Sequence, residues 1–141
     1  MRKRILLVSP NSFERESLAE TLRDGGYEVI AAESGREAAE TFAVTPVSAI
    51  VLQHETPFDG ADVFAGGSRA LEELTDIDPF VPLFLLCNQE DKLDHPTSLM
   101  ADMVLRHPVN APELRNALDV VLKETLRERV FRKSGHVAGV R

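Results

Sequence analysis

Five short apolar segments of strand length recur along the chain, and segments with helical patterning lie between them. The five segments are residues 5–8, 27–32, 47–52, 83–87 and 103–106. Several are apolar at nearly every position, which is typical of parallel strands that helices bury on both faces. Strands that alternate with helices at this spacing form βαβ units with right-handed crossovers. The sequence therefore predicts an α/β fold with a parallel sheet between layers of helices.

Capping residues predict where the first and last helices of this pattern begin and end. Asn11 precedes Glu14 by three residues, which is typical of a helix start. The pair at 25–26 is Gly-Gly, which favours the end of that helix. Pro112 follows Ala111, so we expect the last helix to begin there, because proline is tolerated in a first helical turn.

The composition excludes several classes of protein. The chain has 141 residues and a net charge of -7, which argues against a general nucleic-acid binder. Its single cysteine cannot form an internal disulfide. The apolar run at 5–8 is shorter than the about 7–15 residues of a signal peptide, and no run approaches the about 18 residues of a membrane span. We therefore expect a cytoplasmic protein with no nucleic-acid or membrane partner.

Charge is unevenly distributed between two parts of the chain. Residues 1–122 carry ten basic and 21 acidic side chains, whereas residues 123–141 carry six basic and two acidic ones. The apolar pattern of the last helix also continues past residue 122 through Leu126, Val130 and Phe131. We expect a domain at 1–122 and, at 123–141, a basic extension of the last helix that ends in a flexible tail. An apolar stripe beyond its own core predicts contact with a partner or a second copy.

A series of short segments carries a resemblance to a known family. Residues 3–11, 26–29, 32–38, 49–60, 81–87 and 105–110 resemble, in order and spacing, the strand ends and turns of response regulator receiver (CheY-like) domains. The resemblance covers about residues 3–122. It implies a flavodoxin-like (βα)5 fold with a doubly wound, five-stranded parallel sheet in the order 2-1-3-4-5.

The chain departs from that family at the positions that bear its chemistry. Ser9 and Pro10 lie where the family has two acids, Gln53 where it has the phosphoacceptor aspartate, Cys87 where it has a Ser/Thr switch, and His107 where it has a lysine. Phosphoryl transfer relies on charge positioned around a metal, and Mg²⁺ prefers carboxylate oxygens. These replacements predict a degenerate phosphorylation site with no cofactor, no bound metal and no enzymatic activity.

The resemblance without the chemistry predicts a stand-alone pseudo-receiver, an interaction module in bacterial signal transduction that works independently of phosphorylation. Val104 matches the family's aromatic switch position, and we expect it to form an interaction surface with Leu126, Val130 and Phe131. A signalling protein or a second copy would then bind the face formed by the last strand and helix. Pro108 matches a proline that follows a cis peptide bond in the family.

The sequence leaves two alternatives open. Cys87 and His107 could form a metal- or redox-sensing site, because zinc binds cysteine and histidine side chains. Their spacing matches no compact zinc motif. Alternatively, the chain could be a conventional phosphorelay regulator that uses a different acid, and Glu55 and Asp59 lie in the loop after the third strand.

Overall fold

The structure, a computed structural model, describes residues 3–53, 73–87, 101–106 and 109–138. Five strands lie in one parallel sheet: β1 (Arg4–Val8), β2 (Glu28–Ala32), β3 (Ala49–Gln53), β4 (Leu83–Cys87) and β5 (Met103–Arg106). The order across the sheet is β2-β1-β3-β4-β5. This confirms the predicted α/β fold class and the 2-1-3-4-5 order.

Four named helices accompany the sheet: α1 (Ser12–Asp24), α2 (Gly35–Val44), α3 (Ala111–Leu122) and α4 (Leu126–Ala138). Residues 73–77 are also helical. In the part of the chain that the structure describes, none of these helices has both the length and the apolar composition that crossing a bilayer requires.

The buried side chains form one cluster on each face of the sheet, because successive strand residues point to opposite faces. On one face, strand residues such as Leu7 and Phe84 pack against α1 and α3. On the other face, residues such as Leu6 and Leu85 pack against α2. The sheet is therefore covered on both faces, as the nearly continuous apolar strands predict.

Side-chain caps fix the helix starts at the positions that the sequence indicates. The Asn11 side chain accepts a hydrogen bond from the backbone N–H of Glu14 at 2.9 Å, and Asn110 caps α3 in the same way at 3.0 Å. At the end of α1, Gly26 adopts a φ of 93°, a left-handed conformation that favours glycine. These local signals correctly predict where β2 and α3 lie in the sequence.

The extension past residue 122 is helical, but it is a separate helix and not a continuation of α3. Thr125 and Glu128 form a reciprocal capping box, in which each side chain accepts a hydrogen bond from the other residue's backbone N–H, at 2.9 and 3.1 Å. This box starts α4 after a short break at 123–125. Helix α4 then continues to Ala138, so the part of the expected flexible tail up to that residue is helical.

Candidate functional site

Polar residues meet at the carboxyl ends of three adjacent strands. Ser9 follows β1, Gln53 ends β3 and Cys87 ends β4. The sheet order places β3 between β1 and β4, so these positions lie side by side along one edge. In open α/β sheets this edge is where ligands bind, which makes it the candidate functional site.

The side-chain amide of Gln53 is hydrogen-bonded at both ends. Its Oε1 accepts a hydrogen bond from the Ser9 hydroxyl at 2.7 Å, and its Nε2 donates to a carboxylate oxygen of Glu14 at 2.6 Å. A carboxylate only accepts, so Glu14 fixes the amide orientation with nitrogen toward α1 and oxygen toward Ser9. The result is a continuous chain of three polar side chains from β1 through β3 to α1.

Because part of this chain of hydrogen bonds is buried, its contacts matter for the stability of the fold. Ser9 is fully buried, whereas Gln53 and Glu14 are partly buried. A buried hydroxyl without a partner is destabilising, and Gln53 is the closer of the two acceptors of the Ser9 hydroxyl, with the backbone carbonyl of Asn11 at 3.5 Å. The amide at position 53 therefore has a structural role that an unpaired carboxylate could not fill beside Glu14.

A guanidinium lies on the other side of Ser9. The Arg15 side chain donates to the backbone carbonyl of Ser9 at 2.8 Å, and it lies 3.8 Å from a Glu33 carboxylate oxygen. Arg15 and Glu14 thus place opposite charges at the start of α1, next to the buried end of β1. Neither residue is indicated by the resemblance. The sequence did contain one signal for Glu14, the helix-start pattern at Asn11. That pattern assigns Glu14 a role in capping the helix and does not indicate its contact with Gln53.

Of the other residues predicted for this site, the structure describes Cys87 and Pro10. Cys87 carries a buried thiol, 1% exposed, and its partner in the β4–β5 register is Arg106. Pro10 is exposed beside the Ser9–Gln53 pair. His107 and Pro108 lie outside the described residues, so the structure tests neither the Cys87–His107 alternative nor the cis peptide. Glu55 and Asp59 lie outside them as well.

The predicted interaction surface divides into two parts. Val104 is half-buried in β5 and packs against the core on the α2 face. On α4, Leu126 and Phe131 are largely exposed and Val130 is half-buried. Helix α4 is held at the opposite edge of the sheet, because Arg132 contacts Asp102, which directly precedes β5. The exposed apolar residues therefore lie away from the Ser9–Gln53 site.

The described residues do not fit a divalent cation at this edge. Among them, no group of three or more His, Cys, Asp or Glu side chains is arranged to hold a metal ion. Glu14 is the carboxylate that reaches Gln53, and it already accepts the hydrogen bond of the amide N–H. Pro10 has no side-chain oxygen, and the Gln53 oxygen is occupied by the Ser9 hydroxyl. Magnesium needs several oxygen ligands in near-octahedral geometry, which this arrangement does not provide.

Comparison with known protein sequences gives one relative and no family model. No family model matches the chain. A response regulator receiver protein of Anaeromyxobacter sp. (strain Fw109-5) is 39% identical over 77 residues, which are 55% of this chain and 30% of that protein. The chain thus matches less than a third of the length of that relative.

Solved structures extend the likeness to the whole fold. A response regulator receiver domain from Clostridium thermocellum superposes with a TM-score of 0.73 at 23% identity, covering 85% of this chain and 94% of that one. The response regulator TrrA from Thermotoga maritima, solved in complex with Mg²⁺ and BeF, gives a TM-score of 0.73 at 27% identity, covering 84% of this chain and 98% of that one. Sheet order and superposition show that the chain has the fold of response regulator receiver (CheY-like) domains, and its sequence resembles a response regulator receiver protein over 77 residues.

Proposed function

We propose that this chain is a pseudo-receiver, a protein-interaction module in bacterial signal transduction that is not switched by aspartyl phosphate. The observation that carries the proposal is the environment of Gln53. Its position matches the family's phosphoacceptor, and both ends of its amide are engaged, by Ser9 at 2.7 Å and by Glu14 at 2.6 Å.

The chemistry of an amide argues against phosphoryl transfer at this position. Covalent catalysis needs a nucleophile that a neighbouring base or a lowered pKa activates, and an amide carries no ionisable group. Phosphoryl transfer also relies on a metal and on charge placed around the moving group. Within the described part of the chain, the carboxylate that contacts Gln53 is that of Glu14, and it already accepts the amide N–H.

Without phosphoryl transfer, the fold can still act by binding other proteins. The exposed apolar side chains Leu126 and Phe131 support this role, because a helix that exposes such residues tends to meet another surface. The partner would be a signalling protein or a second copy. Binding would then depend on the concentrations of the two proteins and on the exposure of this surface. It would not depend on a covalent switch at the sheet edge.

Incubation with acetyl phosphate and Mg²⁺, followed by intact mass measurement, tests the proposal. We expect no phosphoryl adduct on the wild-type chain or on Gln53→Ala. A stable adduct on the wild type that is absent from Gln53→Ala would overturn the proposal. An adduct that persists in Gln53→Ala but is lost from a variant of Glu14, Glu55 or Asp59 would support a regulator that uses a different acid, and would overturn it equally.

Binding of beryllofluoride with Mg²⁺ provides a second test that does not depend on the phosphodonor. TrrA is a suitable positive control, since its solved structure contains Mg²⁺ and BeF. Side-chain amide resonances of Gln53 report the site directly, because the amide is held between Ser9 and Glu14. We expect these resonances to stay unchanged in the wild type. A saturable shift that requires both Mg²⁺ and beryllofluoride would contradict the proposal.

A further inference from the structure

Helix α4 turns Arg129 and Arg132 toward the body of the domain and Leu126 and Phe131 toward solvent. The side chains of Arg129 and Arg132 are 17% and 30% exposed. Leu126 and Phe131 are 66% and 83% exposed. This is the reverse of an ordinary surface helix, which turns its apolar stripe to the core. The outward face of α4 is therefore defined by Leu126, Phe131 and the exposed Arg127.

Ionic contacts hold α4 in this orientation. The guanidinium of Arg132 forms a two-point contact with the Glu124 carboxylate, with both N–O distances at 2.8 Å. It also contacts Asp102, whose side chain is 1% exposed. Bidentate arginine–carboxylate contacts fix geometry as well as charge. Rotation of α4 to bury Phe131 would break these contacts, so the apolar face stays available.

The outer face of α1 has complementary features. Phe13 is 82% exposed at the start of the helix. Glu16, Glu20 and Asp24 follow at spacings of three or four residues, which places them on the same helical face, and all are exposed. Arg23 pairs with Glu16 at 3.8 Å. The face thus combines an exposed aromatic ring with an excess of negative charge.

The charges of the two faces have opposite signs. The charges of Arg129 and Arg132 lie close to Glu124 and Asp102. Among the described side chains near the start of α4, Lys123 and Arg127 are exposed cations, and the exposed Glu128 uses its carboxylate to cap the helix. Residues 123–141 as a whole carry an excess of four positive charges, and residues 1–122 an excess of 11 negative ones. Two α4 faces would repel each other, whereas α4 and the acidic α1 face attract. Electrostatic complementarity of this kind selects the orientation of a contact.

We propose that the outward face of α4 in one copy docks on the outer face of α1 in a second copy. The inference rests on the proposed function, because it names the partner of the same interaction module. Phe131 and Leu126 would pack near Phe13, and Arg127 would face the carboxylates that follow Phe13 on α1. The contact is heterologous: the pair keeps a free α1 face on one copy and a free α4 face on the other. Such contacts build rings or open chains of copies.

Two complementary variants test this arrangement. Phe131→Asp removes the α4 face and keeps the α1 face, whereas Phe13→Asp does the opposite. At concentrations up to about 100 µM, where a contact of micromolar affinity is populated, we expect the wild type to form oligomers in sedimentation velocity. Each variant alone should be monomeric, and an equimolar mixture should form a 1:1 dimer that grows no further, because both remaining faces are blocked.

Val44→Asp is the matched control, because Val44 is equally exposed but lies on α2. It should leave the oligomers intact. Raising the salt from about 0.05 M to about 0.5 M should weaken the association, since screening shortens the reach of exposed charges. Circular dichroism of every variant separates loss of contact from loss of fold.

Several outcomes would overturn the inference. A monomeric wild type at low salt excludes the contact. Oligomers that Phe13→Asp leaves intact and Phe131→Asp abolishes indicate a symmetric α4–α4 contact instead. Binding of α4 to anionic vesicles without self-association would assign the face to a lipid surface. None of these results bears on phosphoryl transfer, which the mass measurement on Gln53 tests separately.

Discussion

The Gln53 amide nitrogen lies 2.6 Å from a carboxylate oxygen of Glu14, although the two residues are 39 positions apart in the sequence. The contact joins the end of β3 to the first turn of α1. It also determines which chemistry position 53 can host, because a second carboxylate there would face the first at hydrogen-bond distance. Like charges at this separation cannot both stay ionised without a large penalty.

Gln53→Glu should therefore destabilise the domain at neutral pH, by about 1–3 kcal/mol, the range for a lost hydrogen bond to a partly buried charged group. The two carboxylates would hold a shared proton more tightly in the folded state than in the unfolded chain. The folded variant then binds more protons, so its stability should recover as the pH falls and decrease as the pH rises. Thermal unfolding at about pH 5 and about pH 7.5 measures this difference.

The double variant Gln53→Glu with Glu14→Gln is the control for this prediction. It exchanges the donor and the acceptor and keeps one carboxylate, so most of the lost stability should return at neutral pH. A double-mutant cycle then gives the coupling between the two positions. If the cycle shows no coupling, the contact contributes nothing to folding and the structural role of Gln53 is wrong.

The ionic contacts of Arg132 give a second prediction. Hydrogen bonds to Glu124 raise the pKa of the Arg132 guanidinium, so the side chain remains charged throughout the stable range of the protein. Arg132→Ala would leave the buried Asp102 carboxylate with the Leu83 backbone N–H, which it accepts at 2.6 Å, but without its guanidinium partner. Because Arg132 is partly exposed, we expect a loss of about 1–3 kcal/mol in denaturant unfolding.

Arg36→Ala provides the comparison, since Arg36 and Glu40 form a largely exposed pair along α2 at 3.8 Å. Exposed pairs of this kind contribute about 0–1 kcal/mol. Equal effects of the two substitutions would contradict the view that Arg132 anchors α4. Loss of helical signal in Arg132→Ala, without loss of the main unfolding transition, would instead show that α4 unfolds separately from the sheet.

Much of the fold follows from local patterns in the sequence. The apolar runs predicted all five strands, and caps such as Asn11 and glycines such as Gly26 predicted the helix ends. The order of the strands came from the family resemblance, because periodicity alone does not order strands in a sheet. The start of α4 was missed although its signal was present: Thr125 and Glu128 are spaced as a capping box, but the apolar stripe through Leu126 favoured one long helix.

The candidate site could be predicted only in part. Resemblance located Ser9 and Gln53 correctly at adjacent strand ends, because the carboxyl ends of parallel strands meet at one edge. The hydrogen bond from Gln53 to Glu14 depends on the rotation of α1 about its own axis, which no single-sequence pattern specifies. The inward orientation of Arg132 is equally non-local, since it depends on Asp102 and Glu124 meeting at the opposite edge.

Tyr27, the single tyrosine of the chain, allows a direct spectroscopic prediction. Burial, with a hydrogen bond to Asp119 and the charge of that carboxylate, raises the pKa of Tyr27 well above its usual value. Absorbance near the tyrosinate band should therefore show no titration where free tyrosine ionises, at about pH 10. Because the folded state holds this proton more tightly, its contribution to stability is complete below the unfolded pKa and is lost as the pH rises above it.

Two variants separate the causes of this effect. Asp119→Asn removes the negative charge but keeps the burial, so the tyrosinate midpoint should fall and stay above the value of free tyrosine. Tyr27→Phe should unfold at alkaline pH with a weaker dependence on pH than the wild type. A wild-type midpoint at the free value would mean that the Tyr27 hydroxyl is neither buried nor bonded to Asp119 in solution.

The adjacent glycines at the end of α1 provide the last prediction, because one substitution should be strained and the other should not. Gly26 has a φ of 93°, so Gly26→Ala should be destabilising by about 1 kcal/mol or more, although a new Cβ would meet no atom within 4 Å. Gly25 has a φ of -79°, which alanine adopts freely. The Cβ of Gly25→Ala would lie 2.8 Å from the Cδ of Arg115, a flexible side chain that can shift. Alanine also restricts the unfolded chain more than glycine does, which favours folding. Urea unfolding should therefore rank Gly26→Ala clearly below Gly25→Ala, and the reverse order would mean that the contact with Arg115 outweighs backbone strain at this turn.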